Sequence, residues 1–270
     1  MLACPWSTNQ LKSLSRHIRD GTAPPPHLPA YSDVMLWYND VAASVQQDIN
    51  KLDWTPLLGE RAFEVSSRPK TIDTLRQKLQ RDPGTPLPSV QDVAGVRFEA
   101  EMSLDEQDAV ALAIAGLYDH DPSCIKDLRA TPHSGYRAVH VWLRLPVRVE
   151  VQVRTHMQSA WANAYEAAAD VIGRDIRYGT MPNDELQRGI VEALQSISLH
   201  TISASEEARN ARERELLRMR ENAGAATPVF DEQLRVRLEA EAASHRDAEL
   251  KLREDLRAIH DQFRAIRGKV

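Results

Sequence analysis

The sequence predicts an α+β fold: a mixed sheet of about five strands with helices packed on one face, followed by long C-terminal helices. Three observations lead to it. The middle of the chain alternates apolar patterns of period two with patterns of period 3.6, as when strands and helices share one core. Two adjacent segments, 136–145 and 147–154, place Val139, Val141, Leu143 and Leu145, then Val147, Val149, Val151 and Val153, at odd positions, so each has one apolar face. Residues 206–270 carry 14 acidic and 14 basic side chains and a single glycine before Gly268, the composition of long solvated helices.

The elements follow in order. Residues 8–20 read as a short helix stopped by Gly21, and Ala23-Pro24-Pro25-Pro26 as a stiff linker. From about Ser32, Val34, Met35, Tyr38, Val41, Ala42, Val45, Ile49 and Leu52 mark one face of a second helix. Phe63 to Ser67 reads as a strand, Ile72, Leu75 and Leu79 as a helix face, and Val93 to Met102 as a strand with Val96, Phe98, Ala100 and Met102 on one side. Ser103 with Glu106, and Thr155 with Gln158, have the spacing of capping boxes that open helices. Helices over about 183–222 and 229–267 complete the chain, separated by Ala223 to Pro228. The resulting regions are 1–55, N-terminal helices; 56–180, the sheet domain; and 181–270, a C-terminal helical region.

Composition narrows the function. The chain has 270 residues, 42% of them hydrophobic and 27% charged, which excludes collagen-like, disordered and disulfide-scaffold classes. A net charge of -5 excludes a bulk nucleic-acid binder, so no DNA partner is expected and any RNA or nucleotide contact must be local. Cys4 and Cys124 form no metal-spaced set, and neither a transmembrane run nor a signal peptide is recognisable; a soluble, cytoplasmic protein without a membrane partner is expected.

The even positions of the paired strands carry Tyr136, His140, Glu150, Gln152 and Arg154, and Arg97 lies opposite Val96 and Phe98 on its strand. An ordinary solvent face of an antiparallel sheet is also polar. The neighbouring Lys70, Thr74 and Lys78 are spaced i, i+4, i+8 and are expected to share one helix face. Such cations suit a polyphosphate, and two separated carboxylates, Asp92 and Glu150, suit a Mg²⁺ that bridges phosphate oxygens. There is no GxxxxGK[ST] loop, so nucleotide chemistry here is not P-loop chemistry.

Arg68-Pro69-Lys70 with Thr74, Lys78 and Arg81, then Asp92 to Arg97, Lys126-Asp127, Gly135 to His140 and Glu150 to Thr155 resemble, in order and spacing, the synthetase domain of the RelA/SpoT family. The resemblance covers roughly residues 35–180 and includes the Trp161 to Glu166 helix of small alarmone synthetases. It implies a pyrophosphokinase that moves pyrophosphate from ATP to a nucleotide 3′-hydroxyl and releases AMP. By that resemblance Arg68 and Arg97 flank the adenine of ATP, Lys70 and Lys78 hold its phosphates, and Asp92 and Glu150 hold Mg²⁺. Glu150 also takes the proton of the attacking hydroxyl, Tyr136 stacks on the acceptor base, and His140, Arg137, Gln152 and Arg154 complete the acceptor side.

Plain structural roles stand beside these. Tyr136 can be a hairpin-edge aromatic, His140 a surface histidine, Arg154 a salt-bridge partner of Glu150, and Asp92 a turn residue. The sequence departs from guanosine-using members at Leu128 and His133, where those have a Tyr and a Lys. An altered acceptor half beside an intact donor half is similar to the toxic small alarmone synthetases, toxins of toxin-antitoxin pairs with links to phage defence. That likeness implies translation inhibition by modifying the tRNA 3′ CCA end and an antitoxin protein as partner; the alternative is synthesis of (p)ppGpp or (p)ppApp from guanosine or adenosine nucleotides. A catalytically silent nucleotide- or partner-binding protein is the alternative of a different class. Arg209, Arg212, Arg214, Arg218 and Arg220 read either as part of a helical buttress or as a contact to tRNA or an antitoxin.

Overall fold

A computed structural model describes residues 3–222 and 228–268. Helix α1 (Thr8–Asp20) opens on a capping box between Ser7 and Gln10 and stops where Gly21 turns left-handed at φ 67°. Helix α2 (Tyr31–Asn50) buries Val34, Tyr38, Val41, Val45 and Ile49. A short helix α3 (Thr55–Leu58), with Pro56 in its first turn, precedes strand β1 (Phe63–Pro69) and helix α4 (Ile72–Arg81). Strand β2 (Ala94–Ala100), helix α5 (Leu104–Leu117), and strands β3 (Ile125–Asp127), β4 (Val139–Arg144) and β5 (Arg148–Thr155) follow. Helix α6 (His156–Ile172) opens on the Thr155–Gln158 capping box. Helix α7 (Glu185–Ser196) runs through a π-helical turn (Ile197–Ile202) into α8 (Ser203–Asn222), and α9 (Pro228–Arg267) is the last element. The Ala223–Thr227 separator lies outside the described residues.

The five strands form one mixed sheet in the order β1-β2-β5-β4-β3, giving the α+β architecture with long C-terminal helices. Strands β1 and β2 pair antiparallel, with Arg68 opposite Gly95 and Ser66 opposite Arg97; β4 and β5 pair antiparallel, with His140 opposite Gln152. The middle place of β5 changes one expectation. Glu150 is only 8% exposed and His140 is as buried, so this face is covered over its centre instead of being a solvent face. Alternation separates the two faces of a strand, but strand order and the elements stacked above it decide whether the polar face is wet.

By its contacts the chain divides into two compact units. The first comprises Met1–Ala100, Ala109–Lys126 and Val139–Val153. Its α2 lies on β1 and β2, where the Gln46 side-chain amide donates to the Val65 carbonyl at 2.8 Å, and Trp54, Phe63 and Phe98 form an aromatic cluster with ring centroids 4.9 to 6.4 Å apart. The second unit comprises Glu101–Asp108, Asp127–Ala138 and Arg154–Val270. Its core gathers Trp161, Tyr165, Ala168, Leu194, Ile202 and Leu256 around α6, each aliphatic Leu or Ile contributing about 1.5–3 kcal/mol by leaving water.

Candidate active site

In the first unit, the chain leaves β1 at Pro69, and Lys70 stands just ahead of Thr71, whose hydroxyl caps α4. Lys70 is therefore off the helix, and the shared face expected of Lys70, Thr74 and Lys78 does not form; the Thr74 hydroxyl donates back to the Thr71 carbonyl at 2.9 Å. The N-cap geometry, with Thr71 extended, starts the helix at Ile72, two residues after Lys70. The two ammonium groups nevertheless converge on Asp92. Lys70 Nζ donates to one carboxylate oxygen, and Lys78 Nζ to the other at 2.6 Å.

Burial alone pushes the Asp92 carboxyl up, but the two lysines outweigh it and hold the group below the usual carboxylate range. Next to it in the sequence, Gln91 donates to the Val149 carbonyl at 2.9 Å, tying this segment to β5 beside Glu150. Glu150 shows the same balance. Burial raises its pKa, while hydrogen bonding and charge from His140 and a hydrogen bond from Gln152 lower it further, so the net direction is down. His140 Nδ1 lies 3.1 Å from one Glu150 oxygen, and the Gln152 amide donates to the other at 2.8 Å. The charge of Asp92 also acts on Glu150, in the raising direction and less than the groups just named. Arg97 is half-buried on β2, and the side chain of Arg68 lies outside the described residues.

Among the described residues no group of three or more His, Cys, Asp and Glu side chains forms a metal cage. Asp92 and Glu150 are carboxylates of the kind that hold Mg²⁺, which commonly takes one or two of them, with water and substrate phosphates filling its other positions; here their oxygens are held by Lys70 and Lys78, and by His140 and Gln152. Lysines at 17% and 30% side-chain exposure are suited to exchanging one anionic partner for another.

The second unit holds the remaining expected residues. Tyr136 lies before β4, in a turn where Ser134 and Gly135 take φ of 52° and 83° and the Tyr136 amide donates to the His133 carbonyl at 2.9 Å. Its place is thus set by this turn and not by strand alternation. The Arg154 guanidinium donates to the Tyr136 hydroxyl at 2.7 Å and stands 5.0 Å from the ring centroid, a cation–π geometry. Arg154 accordingly takes Tyr136 as a partner. Arg137, expected on the acceptor side, is 6% exposed; it donates to Glu206 at 3.0 Å and to the Arg129 carbonyl at 3.3 Å.

Sequence reasoning did not single out Glu206 or Ser198. Glu206 sits in a run of alternating charges, and nothing local in that run distinguishes a buried acid from a solvated one. Three of the arginines singled out in α8 are also engaged: Arg209 binds Glu101 at 3.0 Å and also Glu249, Arg214 binds Asp105 at 2.5 Å, and Arg218 binds Glu215 at 2.8 Å. The Arg220 side chain lies outside the described residues. No helix among the described residues is long and apolar enough to cross a membrane.

This fold is that of the small alarmone synthetases. The structure of small alarmone synthetase 2 from Bacillus subtilis superposes with a TM-score of 0.52 at 19% identity, covering 68% of this chain and 98% of that one. The chain belongs to the RelA/SpoT family: residues 67–170 match the region found in RelA/SpoT proteins. Uncharacterized proteins of Mycobacterium tuberculosis and Mycobacterium bovis are 48% identical to it over 190 residues, which is 70% of this chain and 68% of each relative.

Proposed function

We propose that the protein is an ATP-dependent pyrophosphokinase, with residues 56–180 as its synthetase domain, and that it transfers pyrophosphate to the 3′-hydroxyl of the tRNA CCA end as a translation-inhibiting toxin. The observation that carries the chemistry is the convergence of Lys70 and Lys78 on Asp92, next to Gln91, which bonds β5 at the residue before Glu150. In this reading both ammonium groups turn from Asp92 to the phosphates of ATP. Arg68 and Arg97 hold the adenine. Asp92 and Glu150 hold Mg²⁺, which when bound neutralises phosphate charge. Glu150, ionised and oriented by His140 and Gln152, accepts the proton of the attacking hydroxyl. The new bond joins that oxygen to the β-phosphorus, the bond between the β-phosphorus and the α,β-bridging oxygen breaks, and AMP leaves with that oxygen and the electron pair.

On the acceptor side, Tyr136 stacks on the terminal base with Arg154 against its ring, and Arg137 supports Tyr136 from within the fold. The tRNA acceptor is favoured by Leu128 and His133, which stand where guanosine-using relatives carry a Tyr and a Lys; a missing ammonium weakens the hold on 5′ phosphates. A toxin of this kind needs an antitoxin protein as partner and acts in the cytoplasm, in phage defence among other settings. The second reading keeps the chemistry and takes free guanosine or adenosine nucleotides as acceptors.

Incubation with β,γ-labelled ATP and either tRNA or free GDP, GTP and AMP separates the readings. Label on the tRNA 3′ end supports the toxin, label on a free nucleotide supports alarmone synthesis, and label on neither overturns the enzyme reading in favour of a silent binding protein.

A further inference from the structure

The C-terminal helices reach the turn that carries Tyr136 at two points, one on each side of that residue in the chain. Ahead of it, Gly135 is clamped. The Ser198 hydroxyl, from the π-helical turn and 2% exposed, donates to the Gly135 carbonyl at 2.5 Å. A Cβ on Gly135 would lie 2.8 Å from the Trp161 ring and 3.3 Å from the Gln195 backbone, so the turn is pressed against α6 and α7 as closely as a backbone can be. Trp161 is itself fixed, its indole N–H donating to the Leu194 carbonyl at 2.6 Å. A π-helical turn widens the helix locally and is a frequent device for re-aiming side chains at functional sites.

Behind Tyr136, Arg137 is clamped by Glu206 of α8, which is 4% exposed. The other Glu206 oxygen accepts from the Thr155 hydroxyl at 2.7 Å, and Thr155 is both the last residue of β5 and the residue following Arg154. One carboxylate thus holds the chain next to Tyr136 and next to Arg154 at once. A plain helical buttress needs apolar contact only. A buried, doubly bonded carboxylate and a buried hydroxyl aimed at the two neighbours of one aromatic residue do more than pack.

We propose that Ser198 and Glu206 are positioning residues for the acceptor, pinning Gly135, Arg137 and Thr155 so that the Tyr136 ring stands against Arg154 ready to stack on a base. This rests on the reading of Tyr136 as the acceptor's stacking platform. It makes the π turn and α8 part of the acceptor subsite, acting through the chain on either side of Tyr136.

The test uses the full-length protein with Ser198→Ala and Glu206→Gln, and Arg218→Ala on the exposed side of the same helix as the control. The expected result is a rise in KM for the labelled acceptor of about fivefold for Ser198→Ala and about tenfold for Glu206→Gln. Affinity for a non-hydrolysable ATP analogue stays within about twofold in both, and the control changes neither. In parallel, protein labelled with 3-fluorotyrosine is observed by ¹⁹F NMR, with the Tyr136 line assigned by its loss in Tyr136→Phe. Movement of that line in both variants and not in the control supports the clamp. An unmoved line, an unchanged acceptor KM, or a loss of ATP-analogue binding in step with the acceptor effect overturns it. If the unaltered protein transfers label to no acceptor, the pyrophosphokinase reading falls and the ¹⁹F line alone decides the clamp.

Discussion

The two units use cations in opposite ways. In the first, two lysines meet on Asp92, and all three side chains keep 17% to 30% exposure. In the second, two arginines are closed in by carboxylates: Arg137 by Glu206, and Arg209 by Glu249 and Glu101. A lysine ammonium is a compact, rotatable point charge that changes partners at little geometric cost. The planar guanidinium fork matches a carboxylate and is less hydrated, so it is the cation of choice for a permanent buried pair. In the proposed function the first kind serves chemistry and the second architecture, although in the sequence both kinds appear as basic residues near acids.

The largest effect that tests this contrast is at Glu150. Glu150→Gln keeps the shape and removes the proposed proton acceptor, and transfer of label from ATP is expected to fall by about 10²–10⁴-fold. Full activity in this variant would detach the first unit's cluster from catalysis. Next is Arg209→Met, which leaves Glu249 buried without its guanidinium; a loss of about 3–5 kcal/mol is expected in urea unfolding followed by circular dichroism. A loss as small as that of an exposed pair would show that the second unit's arginines are as exchangeable as the lysines.

Lys78→Met gives the converse. Removing one charge-assisted contact is expected to weaken ATP-analogue binding by about 10- to 100-fold in isothermal titration, with unfolding changed much less than in Arg209→Met. Equal losses of stability in the two variants would erase the contrast.

The smallest effect is a pH dependence at Asp127. Burial raises its carboxyl, but hydrogen bonds from the Arg129 side chain and backbone, with the guanidinium charge, outweigh this and leave it below its ordinary value. A depressed carboxylate stabilises the fold above its unfolded pKa and loses that contribution as pH falls through the folded value. Asp127→Asn should therefore be less stable than the parent at neutral pH, and thermal melts of the two should draw together as pH falls below about 4.

Much of the fold is local enough to be read from the chain. The helix over 8–20 ends at Gly21 as its pattern indicates, the Ser103–Glu106 and Thr155–Gln158 boxes both form, and the odd positions of β4 and β5 are buried. Each rests on periodicity or on contacts three or four residues apart. The motifs name Lys70, Lys78, Asp92 and Glu150 by residue type and order, and in the structure the first three meet.

What residue order leaves open depends on contacts far apart in the chain. The sequence by itself determined the elements, their apolar faces and the charges available for chemistry. Only the tertiary structure decided that Glu150 is buried, because β5 takes the middle of the sheet, and that Lys70 reaches Asp92 from outside α4, across 22 positions. It alone separated Glu206 from the other acids of its run, through a partner 69 positions away. A periodic pattern fixes which way a side chain points; what it meets there depends on which distant segment packs against it, and burial and ion pairing follow from that packing.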